Sequence, residues 1–209
     1  MCKIPKIIHQ IWIGPKPIPE HCKKFSQEMI EMHPDWEYHL WGNEIFTGIY
    51  KEDKFLQNYI KDPELYKWAY ISDRVRLLLL RDFGGVYVDV DAKPIRPFDI
   101  ILDKCSDEHT FFAGMKRVKF SDNSNEEKFG WMVDCTVYGS AKNSRTIDLA
   151  LKTYNNINWA NGGSMFSEAI LNNIDADMLI LNKKYFYSNK INSKTIVLHD
   201  VDHRLSSWR

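Results

Sequence analysis

The chain has 209 residues, of which 44% are hydrophobic and 27% are charged, as in globular proteins rather than disordered or fibrous ones. Its 28 basic and 28 acidic residues leave no net charge, which disfavours nucleic acid as a partner because phosphate binding needs a basic excess. No apolar run approaches the roughly 20 residues of a membrane span and the N-terminal residues lack a secretory signal, so we expect one cytoplasmic domain over residues 1–209.

The first third of the chain predicts alternating strands and helices. Lys6–Ile13 is rich in β-branched residues and predicts a strand, and Trp36–Trp41 alternates like a half-buried strand. Between them, Glu20–Met32 has apolar residues at helical spacing and stops before Pro34. Asn43–Lys61 predicts one or two short helices. Strand, helix and strand in succession indicate an α/β architecture.

The central segment predicts a long apolar helix that begins at Pro63 and ends at Gly84–Gly85, followed by the strand Val86–Val90. The polar region Lys116–Lys128 predicts an exposed loop. Further strands are predicted at Phe111–Met115, Met132–Tyr138, Met178–Leu181 and Thr195–His199, and helices at Ser144–Asn155 and Gly163–Asn172.

Two carboxylates, Asp89 and Asp91, close the strand that follows the glycine pair. Side chains two residues apart point the same way on a strand or surround one point where it ends. Such hard oxygen ligands suit Mg²⁺ or Mn²⁺ bound jointly with phosphate oxygens, and ligands of open α/β sheets bind at the ends of strands. An isolated Asp-x-Asp also fits a solvated turn.

The preceding helix carries a second charged feature. Asp73 and Arg76 lie one turn apart, and the apolar run Leu77–Leu80 indicates that the helix around them is largely buried. The spacing fits either a structural ion pair or a pair of groups directed into a pocket.

Considered together, three segments resemble glycosyltransferase family 32. The run Ala69–Asp91 is similar to the sugar-binding Asp-x-Asp region of that family, which includes yeast initiating mannosyltransferases, bacterial capsular and lipopolysaccharide transferases, and clostridial glucosylating toxins. Ile4–Gly14 resembles the family's opening strand and His203–Trp208 its closing element, so the resemblance covers residues 4–208. It implies a GT-A fold, with a Rossmann-like nucleotide-binding half and a mixed central sheet, that uses a nucleotide sugar and Mn²⁺ or Mg²⁺.

The resemblance also implies roles for individual residues. The implied donor-binding residues are Trp12 against the base, Asp73 and Arg76 on the ribose or donor sugar, Tyr87 along the nucleotide, and Ser206, Ser207 and Trp208 over the diphosphate. Asp89 and Asp91 are implied as catalytic ribose and metal ligands, with His203 as a further metal ligand and His199 as the alternative to it. We expect the segment from His203 onward to close over the bound donor.

The expected reaction is transfer of a sugar from a UDP- or GDP-sugar to a glycan or glycolipid acceptor, in surface polysaccharide synthesis, with retention of configuration. Both front-side attack and a covalent intermediate remain open, and Asp134 is the candidate nucleophile or acceptor base. A lipid-linked acceptor would place the protein peripherally at the membrane. The alternatives are a toxin-like effector that glycosylates protein, a sugar-nucleotide-binding module without catalysis, and a two-metal phosphodiesterase.

Overall fold

A six-stranded mixed sheet forms the centre of the computed structural model, which describes residues 2–61, 68–120, 128–155, 162–186 and 191–199. The strands are β1 Ile7–Ile11, β2 Glu37–Trp41, β3 Gly85–Val88, β4 Ala92–Pro94, β5 Phe111–Phe120, β6 Lys128–Ser140, β7 Met178–Asn182 and β8 Val197–His199. The α-helices are α1 Glu20–Met32, α2 Lys54–Lys61, α3 Trp68–Phe83, α4 Asp99–Leu102, α5 Arg145–Asn155 and α6 Gly162–Leu171, with single 3₁₀ turns at Asn43–Phe46 and Lys183–Tyr185.

The strand order in the large sheet is β2-β1-β3-β6-β5-β7, and β4 pairs with β8 in a separate two-stranded sheet. The neighbours β2, β1 and β3 are parallel, β6 is antiparallel to both β3 and β5, and β7 is parallel to β5. The carboxyl ends of β1, β2 and β3 therefore meet at one edge, here called the carboxyl edge. This is the edge at which open α/β sheets bind ligands.

The two faces of the sheet are covered by different helices because side chains alternate along each strand. On one face, strand residues such as Tyr87 and Tyr138 pack with the leucine run of α3 and with α5 and α6. On the other face, residues such as Val86 and Val137 pack with α1, α4 and β8. The two clusters lie on opposite faces of the sheet, so α3 and β8 approach β3 from opposite sides.

A glycine pair makes the sharp connection between α3 and β3. Gly84 and Gly85 have φ angles of +69° and +99°, and the N–H of Gly84 donates to the carbonyl of Leu80 at 2.9 Å. A Cβ on Gly85 would lie 2.5 Å from the carbonyl oxygen of Ile7. Glycine at this position therefore lets β3 lie directly against β1.

The structure agrees with most of the predicted elements and corrects one of them. The predicted bounds Glu20–Met32 are those of α1, whereas Pro63 lies outside the described residues. The prediction of a loop over Lys116–Lys128 is wrong at both ends, because β5 continues to Phe120 and β6 begins at Lys128. The short elements β4 and α4 were not predicted. None of the helices within the described ranges is long and apolar enough to span a membrane.

Candidate functional site

The turn that follows β3 carries Asp89 and Asp91 at the carboxyl edge. The N–H of Asp89 donates to the carbonyl of Thr136 on β6 at 3.0 Å, and the N–H of Ala92 donates back to the carbonyl of Asp89 at 3.1 Å. These bonds hold the turn against the sheet. The side chains of Asp89 and Asp91 are 24% and 17% exposed, so both carboxylates are largely withdrawn from water.

His199 joins the two carboxylates through the small sheet. Antiparallel pairing of β4 with β8 places Ala92 opposite His199, one residue after Asp91. The Nε2 atom of His199 lies 3.4 Å from Oδ1 of Asp91 and 3.8 Å from Oδ2 of Asp89. The structure thus brings the alternative histidine, His199, to the Asp-x-Asp pair, whereas His203 lies outside the described residues.

The charges in this cluster shift one another's protonation. Burial, the largest cause, raises the pKa of Asp89 to about 6, although Arg76 opposes this and Asp91 adds to it. Burial acts to lower the pKa of His199, but the hydrogen bond with Asp91 and the charge of Asp89 raise it to about 9. A cluster of two carboxylates therefore attracts positive charge, which a proton on His199 or a metal ion can supply.

The three side chains fit a divalent cation. Their ligand atoms all lie within 4.8 Å of one another, a separation compatible with bonds of about 2–2.5 Å to one central ion. Two carboxylate oxygens and one imidazole nitrogen form a mixed oxygen and nitrogen ligand set that suits a divalent metal ion. His199 would have to lose its proton to bind, as metal-ligating histidines do.

Arg76 on α3 approaches the carboxylates from the face of the sheet opposite to β8 and His199. Its guanidinium contacts Asp73 at 2.5 Å, donates to the carbonyl of Cys135 at 2.6 Å and lies 3.7 Å from Asp89. The Nε atom is buried and has no hydrogen-bond partner among the described residues. The pair Asp73–Arg76 is thus a buried ion pair that lies beside the carboxylates.

Tyr87 lies beneath the same guanidinium. Its ring centroid is 4.5 Å from Cζ of Arg76, and its hydroxyl donates to Oδ1 of Asp89 at 2.6 Å. Burial raises the pKa of Tyr87 well above its ordinary value, so the hydroxyl remains a donor. Tyr87 therefore fixes the orientation of the Asp89 carboxylate.

Asp134 and Lys116 form a pair on the neighbouring strands β6 and β5. Lys116 Nζ lies 2.6 Å from Oδ2 of Asp134, and Oδ1 of Asp134 accepts the N–H of Thr136 at 2.9 Å. Both oxygens of this buried carboxylate are thus engaged. The sequence singled out Asp134 but not Lys116, which lies in the segment predicted as a loop.

The remaining predicted residues divide by position. Trp12 follows β1 at the carboxyl edge, is half-buried, and donates from Nε1 to the carbonyl of Lys16 at 2.7 Å. Ser206, Ser207 and Trp208 lie outside the described residues. Gln10, which no sequence motif singled out, contacts the carbonyl of Asp89 from β1.

Comparison with known proteins gives the site a family context. Residues 19–111 match the family described as "Glycosyltransferase sugar-binding region containing DXD motif". This range contains Ala69–Asp91 and confirms the resemblance there, whereas Ile4–Gly14 and His203–Trp208 lie outside it. The predicted residues inside it are Asp73, Arg76, Tyr87, Asp89 and Asp91, and those outside it are Trp12, Asp134 and the C-terminal group.

Two similar curated proteins are fungal mannosyltransferases. Mannosyl phosphorylinositol ceramide synthase SUR1 of Saccharomyces cerevisiae is 38% identical over 102 residues, which are 47% of this chain and 25% of that protein. Inositol phosphoceramide mannosyltransferase 3 of Schizosaccharomyces pombe is 38% identical over 101 residues, 47% of this chain and 27% of that protein. The chain spans about a quarter of the length of these relatives.

A toxin family aligns with more of the chain. A toxin of Photorhabdus asymbiotica is 24% identical over 221 aligned positions, covering 88% of this chain and 7% of that protein. The solved structure of PaToxG glycosyltransferase matches with a TM-score of 0.54 and 19% identity over 81% of this chain and 69% of that one. The structural match confirms the predicted GT-A fold.

Proposed function

We propose that this chain, whose residues 19–111 match the sugar-binding region of glycosyltransferases, is a retaining, metal-dependent glycosyltransferase that transfers a sugar from a UDP- or GDP-sugar. One observation carries the proposal. Asp89, Asp91 and His199 converge at the carboxyl edge of a GT-A-type sheet, with ligand atoms within 4.8 Å of one another. The proposal treats residues 1–209 as a single transferase domain.

The three side chains would hold a Mn²⁺ ion against the diphosphate of the donor. When bound, the cation would offset the negative charge that develops on the departing nucleoside diphosphate. The hydroxyl of Tyr87 keeps the Asp89 carboxylate oriented, and the positive charge of Arg76 offsets the negative charge of that carboxylate. The predicted His203 remains a further candidate ligand.

The donor would lie along the carboxyl edge. Asp73 and Arg76, an ion pair beside the carboxylates, would bind hydroxyls of the ribose or the donor sugar. Trp12, which directly follows β1, would stack on the base. Ser206, Ser207 and Trp208 stay in the proposal as residues that close over the diphosphate and exclude water.

Asp134 bears on the route to retention. A covalent intermediate would require a free carboxylate oxygen, but Thr136 and Lys116 already engage both oxygens of Asp134. We therefore favour front-side attack, in which the acceptor hydroxyl gives its proton to the leaving phosphate. Asp134 then acts through its ion pair with Lys116.

The acceptor is proposed to be a lipid-linked or free glycan of surface polysaccharide synthesis, with the enzyme in the cytoplasm and peripheral to the membrane. A relative named for inositol phosphoceramide mannosyl transfer supports a lipid-linked acceptor. The second candidate is an effector that glycosylates protein, and the toxin relative that aligns with 88% of the chain favours it. Transfer of radiolabelled sugar to lipid extracts or to host-cell lysate separates the two.

The decisive experiment combines donor binding with turnover. A thermal-shift panel of UDP- and GDP-sugars with Mn²⁺ should identify one donor, because a ligand that binds the native state raises its stability. Hydrolysis of that donor should then need Mn²⁺ and should fall at least about 100-fold in Asp91→Asn, as expected when a ligand of a catalytic metal is lost.

Asp103→Asn is the matched control, because Asp103 is an exposed carboxylate outside the cluster. It should keep the wild-type rate. Metal-independent turnover, or turnover by folded Asp91→Asn at the wild-type rate, would disprove the metal site. A protein that binds the donor but never transfers or hydrolyses it would support a binding module instead.

A further inference from the structure

Gln10 of β1 is fully buried directly beneath the turn that carries the two carboxylates. Its Nε2 atom lies 3.3 Å from the carbonyl oxygen of Asp89. Its Oε1 atom lies 2.7 Å from the hydroxyl of Ser26 on α1 and 2.6 Å from the hydroxyl of Tyr38 on β2. One side chain thus connects a helix, an edge strand and the Asp-x-Asp turn.

The hydrogen-bonding inventory fixes the direction of every bond in this network. A carbonyl oxygen can only accept, so the amide group that faces Asp89 must be the NH₂ of Gln10. The amide oxygen then faces both hydroxyls, and each of them must donate to it. Burial raises the pKa of Tyr38, which keeps its hydroxyl protonated as a donor.

The hydrogen bond from Gln10 reaches the carbonyl of Asp89, which is the carbonyl that closes the turn. The Asp89 carbonyl accepts from the N–H of Ala92 as well as from Gln10, and the Asp89 N–H is bound to Thr136. The two peptide groups that flank the Cα of Asp89 are therefore held from β6 and from β1, the two neighbours of β3 in the sheet. A rotation of the peptide group between residues 89 and 90 would move the Asp89 carboxylate relative to Asp91 and His199.

We propose that Gln10 is a positioning residue for the metal ligands, with Ser26 and Tyr38 fixing its amide. The inference rests on the proposed function, because it assumes that the cluster binds a cation. Groups that orient metal ligands from outside the coordination sphere typically change metal affinity 10–100-fold when they are removed. Gln10 should belong to this class although it contacts the ligand's backbone rather than its carboxylate.

The test measures Mn²⁺ binding to the purified chain without any donor. The electron paramagnetic resonance signal of the free ion reports how much Mn²⁺ remains unbound. Gln10→Met keeps the length of the side chain and removes its polar group. It should weaken Mn²⁺ binding about 10–100-fold. Trp36→Phe is the matched control, since it removes a partly buried side-chain hydrogen bond, to Asp99 at 3.0 Å, outside the metal cluster.

The control separates a general loss of stability from a loss of Mn²⁺ affinity. Both variants should lower the melting temperature, but only Gln10→Met should lower the Mn²⁺ affinity. If Gln10→Met does not fold, the triple variant Gln10→Met, Ser26→Ala and Tyr38→Phe replaces it, because it leaves no hydroxyl unpaired.

The outcomes separate this inference from the proposed function. Suppose that the wild-type chain binds Mn²⁺ and that the dissociation constant of the Gln10 variant is within twofold of the wild-type value. This result would overturn the positioning role alone. Wild-type chain that fails to bind Mn²⁺ would overturn the metal site itself, and with it the role of Gln10. Weakened binding confined to the Gln10 variants supports the inference.

Discussion

At the scale of single residues, Arg76 offsets the free-energy cost of burying the carboxylates. Burying an unpaired charge costs several kcal/mol, and this guanidinium lies between Asp73 and Asp89. It also lies over the ring of Tyr87, so its face and its edge are both in contact. Lysine could not replace these planar contacts, since its ammonium is a compact point charge.

His9 provides a test at this scale that is independent of the proposed reaction. The indole Nε1 of Trp41 donates to Nδ1 of His9 at 3.1 Å, so the ring proton must reside on Nε2, which contacts the carbonyl of Gly84 at 2.8 Å. The neutral ring is thus satisfied, and a second proton would face the indole N–H. Burial lowers the pKa of His9 from 6.5 to about 4.

Acid should therefore destabilise the fold through His9. The unfolded chain takes up this proton below its ordinary pKa and the folded chain does not, so the stabilisation is present above pH 6.5 and is lost as the pH falls to about 4. The loss should reach about 3 kcal/mol. His9→Gln, which cannot titrate, should show a shallower fall of unfolding free energy in urea over this range. Parallel curves would contradict the prediction.

Residue chemistry also sets what the sequence could reveal about the site. Asp89 and Asp91 were identifiable because a glycine pair and an apolar strand precede them. The position of His199 beside Asp91 was not, because it depends on the pairing of β8 with β4. Gln10 gave no signal, since a buried amide in an apolar strand shows its role only through its partners.

At the scale of elements, the glycine connection should be the most sensitive point in the path from α3 to the site. Gly85→Ala would place a Cβ 2.5 Å from the carbonyl of Ile7 at a φ of +99°. Relief requires β3 to move away from β1, so we expect a loss of more than about 2 kcal/mol in unfolding free energy and weaker Mn²⁺ binding.

Gly42→Ala is the control for this substitution. Its added Cβ would meet only the side chain of Glu44 among its nearest neighbours, and a flexible side chain can move aside. Its cost in urea or thermal unfolding should stay below about 1 kcal/mol. Equal costs for the two alanines would show that β3 is free to shift.

The sequence predicted elements well where one face is buried and poorly where pairing alone maintains them. The helix α1 was found with its full bounds because its apolar spacing is regular and Pro34 stops it. Residues 116–120 pair only with β6 among the described strands, at positions 128–132, and form a two-stranded ribbon beyond β7 and β3. The ribbon mixes basic and apolar residues and flanks the polar run at positions 121–127, so all of Lys116–Lys128 was predicted as a loop.

At the scale of the whole molecule, the proposed cation would join the large sheet to the small one. Asp89 and Asp91 follow β3, whereas His199 ends β8. Mn²⁺ should therefore slow hydrogen exchange at Lys93 and Leu198, which pair across β4 and β8. With the ion at 100 times its dissociation constant, opening of this sheet should cost about 2.7 kcal/mol more.

Mass spectrometry of exchanged peptides can localise the effect. Peptides from α2, which contributes none of the three ligands, should show a smaller change than those from β4 and β8. Asp91→Asn should remove the Mn²⁺ effect. Bound Mn²⁺ that leaves β4 and β8 unprotected would show that His199 is not a ligand.

The pairing of Ala92 with His199 also has a consequence for synthesis of the protein. The two residues are separated by roughly 100 residues, and ribosomes add about 5–20 residues per second, so His199 follows Asp91 by roughly 5–20 s. Contacts between such distant residues form late in folding because the intervening chain must first be closed into a loop. The newly made chain therefore carries its acidic pair long before it can complete the cluster that would capture the cation.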